Sequence, residues 1–387
     1  MKRAPYPPSQ PRKYEMDGEE LMSFLKVWAS TAASLSYSYS IAGSVPKGLP
    51  RFLCLLPVFY LLATLPLGLS TFHLRGPTAL FLVWLCSFKL LLFCFDAGPL
   101  SQSPSCIHFV LVASLPIKIK QNDHHHQHAE DRVGRPKEML DSLHDHRKVL
   151  STAKVLLLAL LFQAYNYKPH LPACVLWVLY CLHAYLEFEL MMALYAIPAR
   201  VVLGGLGFEL EPQFKEPYLT TSLEDFWGRR WNLAVSGILR LAVYDPMRNL
   251  CIPIMGSELG SHAGVFSAFA VSGLMHEALF YYYYYTMEGP TWEVTAFFLI
   301  QGACVVAEKA VKKRCQRRIS WRPHRLVAGA LTLGFLSATG IPLFALPLMR
   351  NGIDEKLIRE GHEMAVFLKE RARLIIGSTG REISIVS

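Results

Sequence analysis

The 387-residue chain is predicted to be all-α, a polytopic bundle of about eight transmembrane helices. Three observations predict this class. Hydrophobic residues make up 52% of the sequence and charged residues only 18%, below the quarter usual in soluble domains. The apolar residues gather into runs of about 20, the length a helix needs to cross a bilayer. The basic residues behind the net charge of +9 lie between those runs, as juxtamembrane loops do, and form no nucleic-acid face.

The runs predict spans at 21–42, 52–72, 77–96, 150–166, 172–196, 263–285, 291–308 and 326–349. The first is rich in Ser and Tyr. The piece 107–116 is too short to span and reads as re-entrant or interfacial. Residues 1–20 read as a disordered N-terminus with no signal-peptide core. A single membrane-embedded domain follows over 21–370, and residues 371–387 form a tail. A polar, partly disordered insert at 117–149 interrupts the domain. Its tract His124-His125-His126-Gln127-His128 lacks ligand spacing, so no metal site is expected there. The nine cysteines contain no C-x-x-C pair and give no disulfide framework.

Segment 209–262 reads as the long loop. Within it Ser222 and Asp225 make an N-cap pattern, so a helix is expected to start there. Trp227 and Trp231 are four apart and would share one face of that helix, flanked by Arg229 and Arg230. This predicts an interfacial helix with its tryptophans at headgroup depth. Lys309, Lys312, Lys313, Arg314, Arg317, Arg318, Arg322 and Arg325 make the most basic loop, which is expected on the cytosolic side. Counting back two spans puts 209–262 on that side too. Counting back five more leaves the N-terminus lumenal, whereas Lys2, Arg3, Arg12 and Lys13 argue for the cytosol. One span is therefore miscounted or re-entrant.

The chemistry centres on His276, inside the apolar run from Val265 to Phe280 that ends in Tyr281 to Tyr285. An ionisable side chain at that depth is costly and marks function more often than chance. Burial disfavours its charged form, so the imidazole stays neutral and suits general-base duty. The bland alternative is a neutral imidazole hydrogen-bonded between helices. His183 with Glu187, and Lys89 with Asp96, are spaced to share helix faces and read as mainly structural charge pairs. The tyrosine run reads as an interfacial belt. Several other patterns fail. His276-Glu277 lacks the second histidine of H-E-x-x-H, because Phe280 stands there. His126 and Asp131 fit H-x₄-D only within the low-complexity insert. No G-x-S-x-G elbow occurs. No internal repeat supports a polytopic transporter, the rival of another class.

Two motifs in order carry a family resemblance. The first is Leu223-Glu224-Asp225-Phe226-Trp227-Gly228-Arg229-Arg230-Trp231-Asn232 with Tyr244-Asp245-Pro246. The second is Ser272-Gly273-Leu274-Met275-His276-Glu277 with Pro290-Thr291-Trp292-Glu293. Together they resemble the plant wax synthase family of the membrane-bound O-acyltransferases (MBOATs), over about residues 20–369. Thr339-Gly340-Ile341-Pro342-Leu343 departs from the family pattern. The resemblance implies a helical fold crossed by a reaction tunnel, with His276 as catalytic base and Asn232 as the second polar residue. It implies acyl-CoA as co-substrate, no metal or other cofactor, and a long-chain fatty alcohol as acceptor, giving a wax ester. A sterol is the alternative acceptor. The expected location is the endoplasmic reticulum membrane, among membrane lipid and without nucleic acid. Asn232 would place an amide donor near the reacting carbonyl or orient the acyl chain, Trp231 would wall the tunnel with Trp227 a further substrate contact, and Arg229, Arg230, Arg240 and Arg248 would meet the coenzyme's phosphates or, alternatively, anionic headgroups.

Overall fold

The computed structural model describes residues 18–120, 137–284, 290–315, 324–350, 352–353, 355–363 and 366; for 137–149, Tyr284 and Cys315 it describes the backbone alone. The His tract and the tail at 371–387 lie outside these residues. Among the described residues the fold is helical, with a single isolated antiparallel bridge, Ile119 to Leu210. Lys120 pairs with Glu209 there at 2.9 Å and holds its carboxyl below the usual carboxylate range.

Five helical stretches are long and apolar enough to cross a membrane: Leu49–Gly68, Phe72–Cys94, Leu233–Tyr283, Glu293–Arg314 and Arg325–Met349. They correspond to the expected spans 52–72, 77–96, 263–285, 291–308 and 326–349. The regions expected to supply the other three spans are helical too, as Gly18–Ile41, Lys137–Ala164 and Ala173–Tyr195, but are not among the five. In Gly18–Ile41 the polar load is absorbed locally. Thr31, Ser34, Ser36, Ser38 and Ser40 each return a hydroxyl hydrogen bond to the carbonyl four residues back. Residues 18–20, within the stretch expected to be disordered, belong to this helix, and Glu20 is anchored there. Its buried carboxylate accepts from the backbone N–H groups of Ser70 and Thr71, both at 2.9 Å. The short piece is the helix Cys106–Ser114, capped by Ser105 and packed against the first helix.

The expected pairing of Lys89 with Asp96 does not occur. Lys89 is buried and donates to the carbonyls of Val112 and Leu115 at 2.6 and 2.8 Å, closing the end of the Cys106–Ser114 helix. Asp96 turns outward to Lys47 at 2.9 Å. A cation can settle on helix-end carbonyls as well as on a carboxylate, and spacing within one helix does not reveal that choice.

The largest departure concerns 209–262, which is mostly non-helical only up to Ser222 and from Leu223 is helical apart from a break at Trp231 and Asn232. Leu233–Leu239, a wider turn over Arg240–Tyr244, and Asp245–Tyr284 follow one another. The helix Asp245–Tyr284 is folded back on itself at Gly256, whose φ of 81° is in the left-handed region that glycine tolerates. Gly260 then lies against Ile252 and the Arg248 carbonyl, and Gly264 against Tyr244. A Cβ on Gly264 would stand 2.9 Å from the Tyr244 carbonyl oxygen. Glycines at 256, 260 and 264 thus bring two antiparallel legs into contact along one seam, as small residues do between membrane helices. The leg that carries Gly264 packs in turn on the helix Glu293–Cys315, with Gly273 against Thr295 and Gly302 against Phe269.

Candidate active site

The hairpin positions the two predicted catalytic residues. Tyr244 and Gly264 touch across the legs. Asn232 precedes Tyr244 by twelve residues and His276 follows Gly264 by twelve. Antiparallel legs of near-equal rise bring these positions to one depth. The packing agrees, since Val235, Ile238 and Leu239 of one leg share an apolar cluster with Leu279, Val271 and Met275 of the other. Both residues line one cavity of about 2090 Å³. That exceeds the ~300–1,000 Å³ of ordinary small-molecule pockets, so it suits long, flexible chains.

On the His276 leg the cavity is lined by Val265, Ala268, Phe269, Ser272, His276, Leu279, Phe280 and Tyr283. That spacing of three and four is one stripe of a helix. The imidazole is held between rings: Phe298 stacks on it at 4.3 Å, Trp84 meets it edge-on at 5.0 Å, and Phe344 lies at 5.6 Å. Its Nδ1–H donates to the Ser272 carbonyl at 2.7 Å. This bond fixes the tautomer, so Nε2 keeps its lone pair and has no partner among the described residues. Glu277, the next residue, accepts from the Thr295 backbone N–H at 3.2 Å and ties the following helix in place.

Asn232 adopts φ 41°, a left-handed conformation that asparagine tolerates better than most residues. Its Oδ1 accepts from the Val235 backbone N–H at 3.3 Å and caps the helix Leu233–Leu239. The amide nitrogen donates to nothing among the described residues. The residue therefore serves as both helix cap and candidate donor, with one atom for each role. Gln213 secures the same turn, accepting from Leu233 N–H on its carbonyl at 2.9 Å and from Ala234 N–H on its side chain at 3.0 Å.

The interfacial Trp-Arg helix does not form as expected. Ser222 does cap Asp225 at 3.1 Å, but the helix Leu223–Asp225 is one turn long. It widens over Phe226–Arg230 and closes with Trp231 N–H bonded to the Phe226 carbonyl, five residues back. Trp227 and Trp231 consequently leave the shared face and enter the cavity wall separately. Trp231 packs among Phe226, Phe214 and Phe188 with ring centroids 5.2–6.0 Å away. Trp227 packs against Phe269 and Phe298, and its indole N–H donates to the buried Gln301 at 3.3 Å. Gln301 donates in turn to Thr339 at 2.8 Å.

The two arginines also part. Arg229 is exposed and lines the cavity, as Arg240 and Lys309 do. Arg230 points away. Its guanidinium binds Asp225 at 2.6 Å and the carbonyls of Lys215 and Glu216 at 3.2 Å, so it braces the turn and does not line the cavity. The tyrosine run is not a uniform belt. Tyr281 is exposed, whereas the Tyr282 hydroxyl donates to the Ala63 carbonyl at 2.7 Å and Tyr283 stacks on Phe72 at 4.2 Å. Trp84, Phe298 and Phe344 were not legible as site residues, since nothing separates an aromatic that holds an imidazole from one that fills a core. Among the described residues no three His, Cys, Asp or Glu side chains gather as a metal-holding group.

Sequence comparisons agree with the geometry. A family model described as the membrane bound O-acyl transferase family matches residues 210–300, which contain both motifs. A long-chain-alcohol O-fatty-acyltransferase of Simmondsia chinensis is 43% identical over 93% of this chain and 99% of its own length. The protein named probable long-chain-alcohol O-fatty-acyltransferase 1 of Arabidopsis thaliana is 43% identical over 88% of this chain and 95% of its own. An acyl-CoA–sterol O-acyltransferase 1 of Arabidopsis thaliana is 37% identical over 91% of this chain and 98% of its own.

Proposed function

Since the chain belongs to the membrane bound O-acyl transferase family, we propose that it esterifies a long-chain fatty alcohol with the acyl group of acyl-CoA, yielding a wax ester in the endoplasmic reticulum membrane. The observation that carries this reading is His276, whose Nδ1–H is committed to the Ser272 carbonyl while Nε2 is left for a substrate proton. The family membership replaces the transporter alternative.

The cavity's two kinds of wall suit the two halves of the donor. Arg229, Arg240 and Lys309 line the cavity, Lys309 beside Glu224, and guanidinium and ammonium groups suit the phosphates of coenzyme A. The acyl chain follows the apolar lining past Trp227 and Trp231. The alcohol hydroxyl attacks the thioester carbon as Nε2 of His276 takes its proton. The Asn232 amide donates to the carbonyl oxygen as it gains negative charge. The tetrahedral adduct then expels the coenzyme thiolate, which receives the proton from the imidazolium. The ester and free coenzyme A account for every atom, and His276 returns to its neutral form.

The test is expression of the full chain in microsomes supplied with labelled acyl-CoA and a panel of long-chain alcohols and sterols. Labelled wax ester is the expected product. Sterol ester in its place overturns the acceptor, and no ester at all overturns the reading.

A further inference from the structure

A second polar cluster lies in the wall of the same cavity, away from His276. Glu187 faces two imidazoles at once, His73 Nε2 at 3.1 Å and His183 Nε2 at 3.2 Å. The cluster is braced from behind. His73 Nδ1 meets Glu360 at 3.1 Å, and His183 Nδ1 meets the Tyr165 hydroxyl at 2.9 Å. Glu360 also accepts from the backbone N–H groups of Phe72 and His73 at 2.8 and 3.2 Å, fixing the start of that helix. His73, Glu187 and His183 all line the cavity.

Its position along the tunnel follows from the hairpin. Phe72, beside His73, stacks on Tyr283, seven residues past His276 on the lining stripe. Seven residues of helix are about 10 Å. The cationic lining residues lie the other way, because Tyr244 beside Gly264 and Lys309 mark the opposite end of that leg. By the His73 contact the Glu187 cluster lies past His276 from the cationic residues, while Phe188, next to Glu187, stacks on Trp231 beside Asn232 at 6.0 Å, so the cluster also borders the central pair.

Glu20 and Lys89 are sealed into backbone contacts, at 7% and 1% exposure. Glu187 is different: its side chain keeps 28% of its surface open. A carboxylate held between imidazoles and open to an apolar tunnel invites a polar ligand. An acyl chain beyond its thioester has nothing to offer it. An alcohol does, because its hydroxyl must leave water to reach His276, and a hydroxyl carried unpaired through apolar surroundings is penalised. A charge-assisted hydrogen bond to a carboxylate offsets that penalty.

We propose that Glu187, held by His73 and His183, is a docking station for the acceptor hydroxyl, from which the alcohol moves on to His276. The proposal rests on the acyl-transfer reading above. It places the acceptor's entry past His276 from the cationic residues, so the two substrates approach the base from two sides. Glu187 here binds substrate, and His73 and His183 are positioning residues.

Glu187→Gln keeps the shape of the side chain and removes its charge. His183→Gln removes one brace and leaves the contact of His73 with Glu360 intact. With the full chain in membranes, initial rates are measured against alcohol at saturating acyl-CoA and against acyl-CoA at saturating alcohol. The expected result is an alcohol KM raised about tenfold in Glu187→Gln, a smaller rise in His183→Gln, and an acyl-CoA KM changed by less than about twofold in both. Equal rises in the two KM values, or none in either, overturn the proposal. Loss of both variant proteins from the membrane assigns the cluster to folding and overturns it too. Failure of the underlying reading is distinct, because the unaltered protein would then make no ester.

Discussion

At the scale of single residues, the two polar groups at the centre of the cavity make separable predictions. His276→Ala removes the only base whose lone pair the Ser272 contact sets free, and general-base catalysis is worth about 10²–10⁴ in rate. Ester formation in that variant is expected to fall by at least about 100-fold, with membrane abundance by immunoblot unchanged. Retained activity removes the base assignment. Asn232 needs a finer comparison, because its oxygen caps a helix and its backbone is left-handed. Asn232→Gly keeps the backbone conformation and costs only a few tenths of a kcal/mol as a cap, yet deletes the amide donor. It is expected to fold normally and to lose about 10²–10³ in kcat, the usual effect of removing one oxyanion donor. A variant with full kcat leaves Asn232 as a cap alone. His276 stood out in the sequence as an ionisable group in an apolar run, and the structure places it in the cavity wall. The sequence grouped Arg230 with Arg229 because the two differ only in their tertiary partners, which for Arg230 are Asp225 and two carbonyls.

At the scale of elements, the helical hairpin does the positioning, and its seam is testable. Gly264 has no room for a Cβ, which would fall 2.8 Å from the Tyr244 ring and 2.9 Å from its carbonyl oxygen. Backbone cannot give way as a flexible side chain can, and overpacking of this kind costs about 1–3 kcal/mol. Gly264→Ala is expected to lower the thermal midpoint of the detergent-solubilised protein and, by shifting one leg against the other, to lower activity as well. An unchanged midpoint contradicts the close seam. A second element-level prediction concerns the chain from Trp227 through Gln301 to Thr339. Gln301→Leu leaves the indole N–H and the threonine hydroxyl without this partner and is expected to cost about 1–3 kcal/mol, read in the same melting experiment. An unchanged midpoint removes the anchoring role. Most helices were legible from apolar run length and composition. The fold-back at Gly256 was not, since an isolated glycine within a helical pattern is tolerated and does not by itself mark a break. The widened turn over Phe226–Arg230 was hidden for a similar reason: Trp227 and Trp231 satisfy helical spacing, and only the bond from Trp231 N–H to the Phe226 carbonyl reveals that the turn has changed.

At the scale of the whole molecule, the arrangement joins cationic lining residues to an apolar interior. Arg229, Arg240 and Lys309 line the same cavity although they come from three different segments, and Lys309 pairs there with Glu224 at 3.6 Å. Lys309 belongs to the end of the helix Glu293–Cys315, which leads into the most basic stretch of the chain. Positive residues between spans favour the cytosolic face, and that is also the side on which a soluble, polyanionic coenzyme is available. Orientation and donor entry therefore make one joint prediction. In sealed microsomes with the cytosolic face outward, Arg240→Cys is expected to react with a membrane-impermeant maleimide in a background where the exposed Cys54, Cys174 and Cys181 are replaced by serine. Saturating acyl-CoA is expected to slow that reaction severalfold, whereas the long-chain alcohol leaves it unchanged, because the acceptor binds deeper in the cavity. Reaction only after the vesicles are opened inverts the orientation. Reaction at an unaltered rate with acyl-CoA present removes the coenzyme from these residues and shifts its entry to another part of the cavity wall.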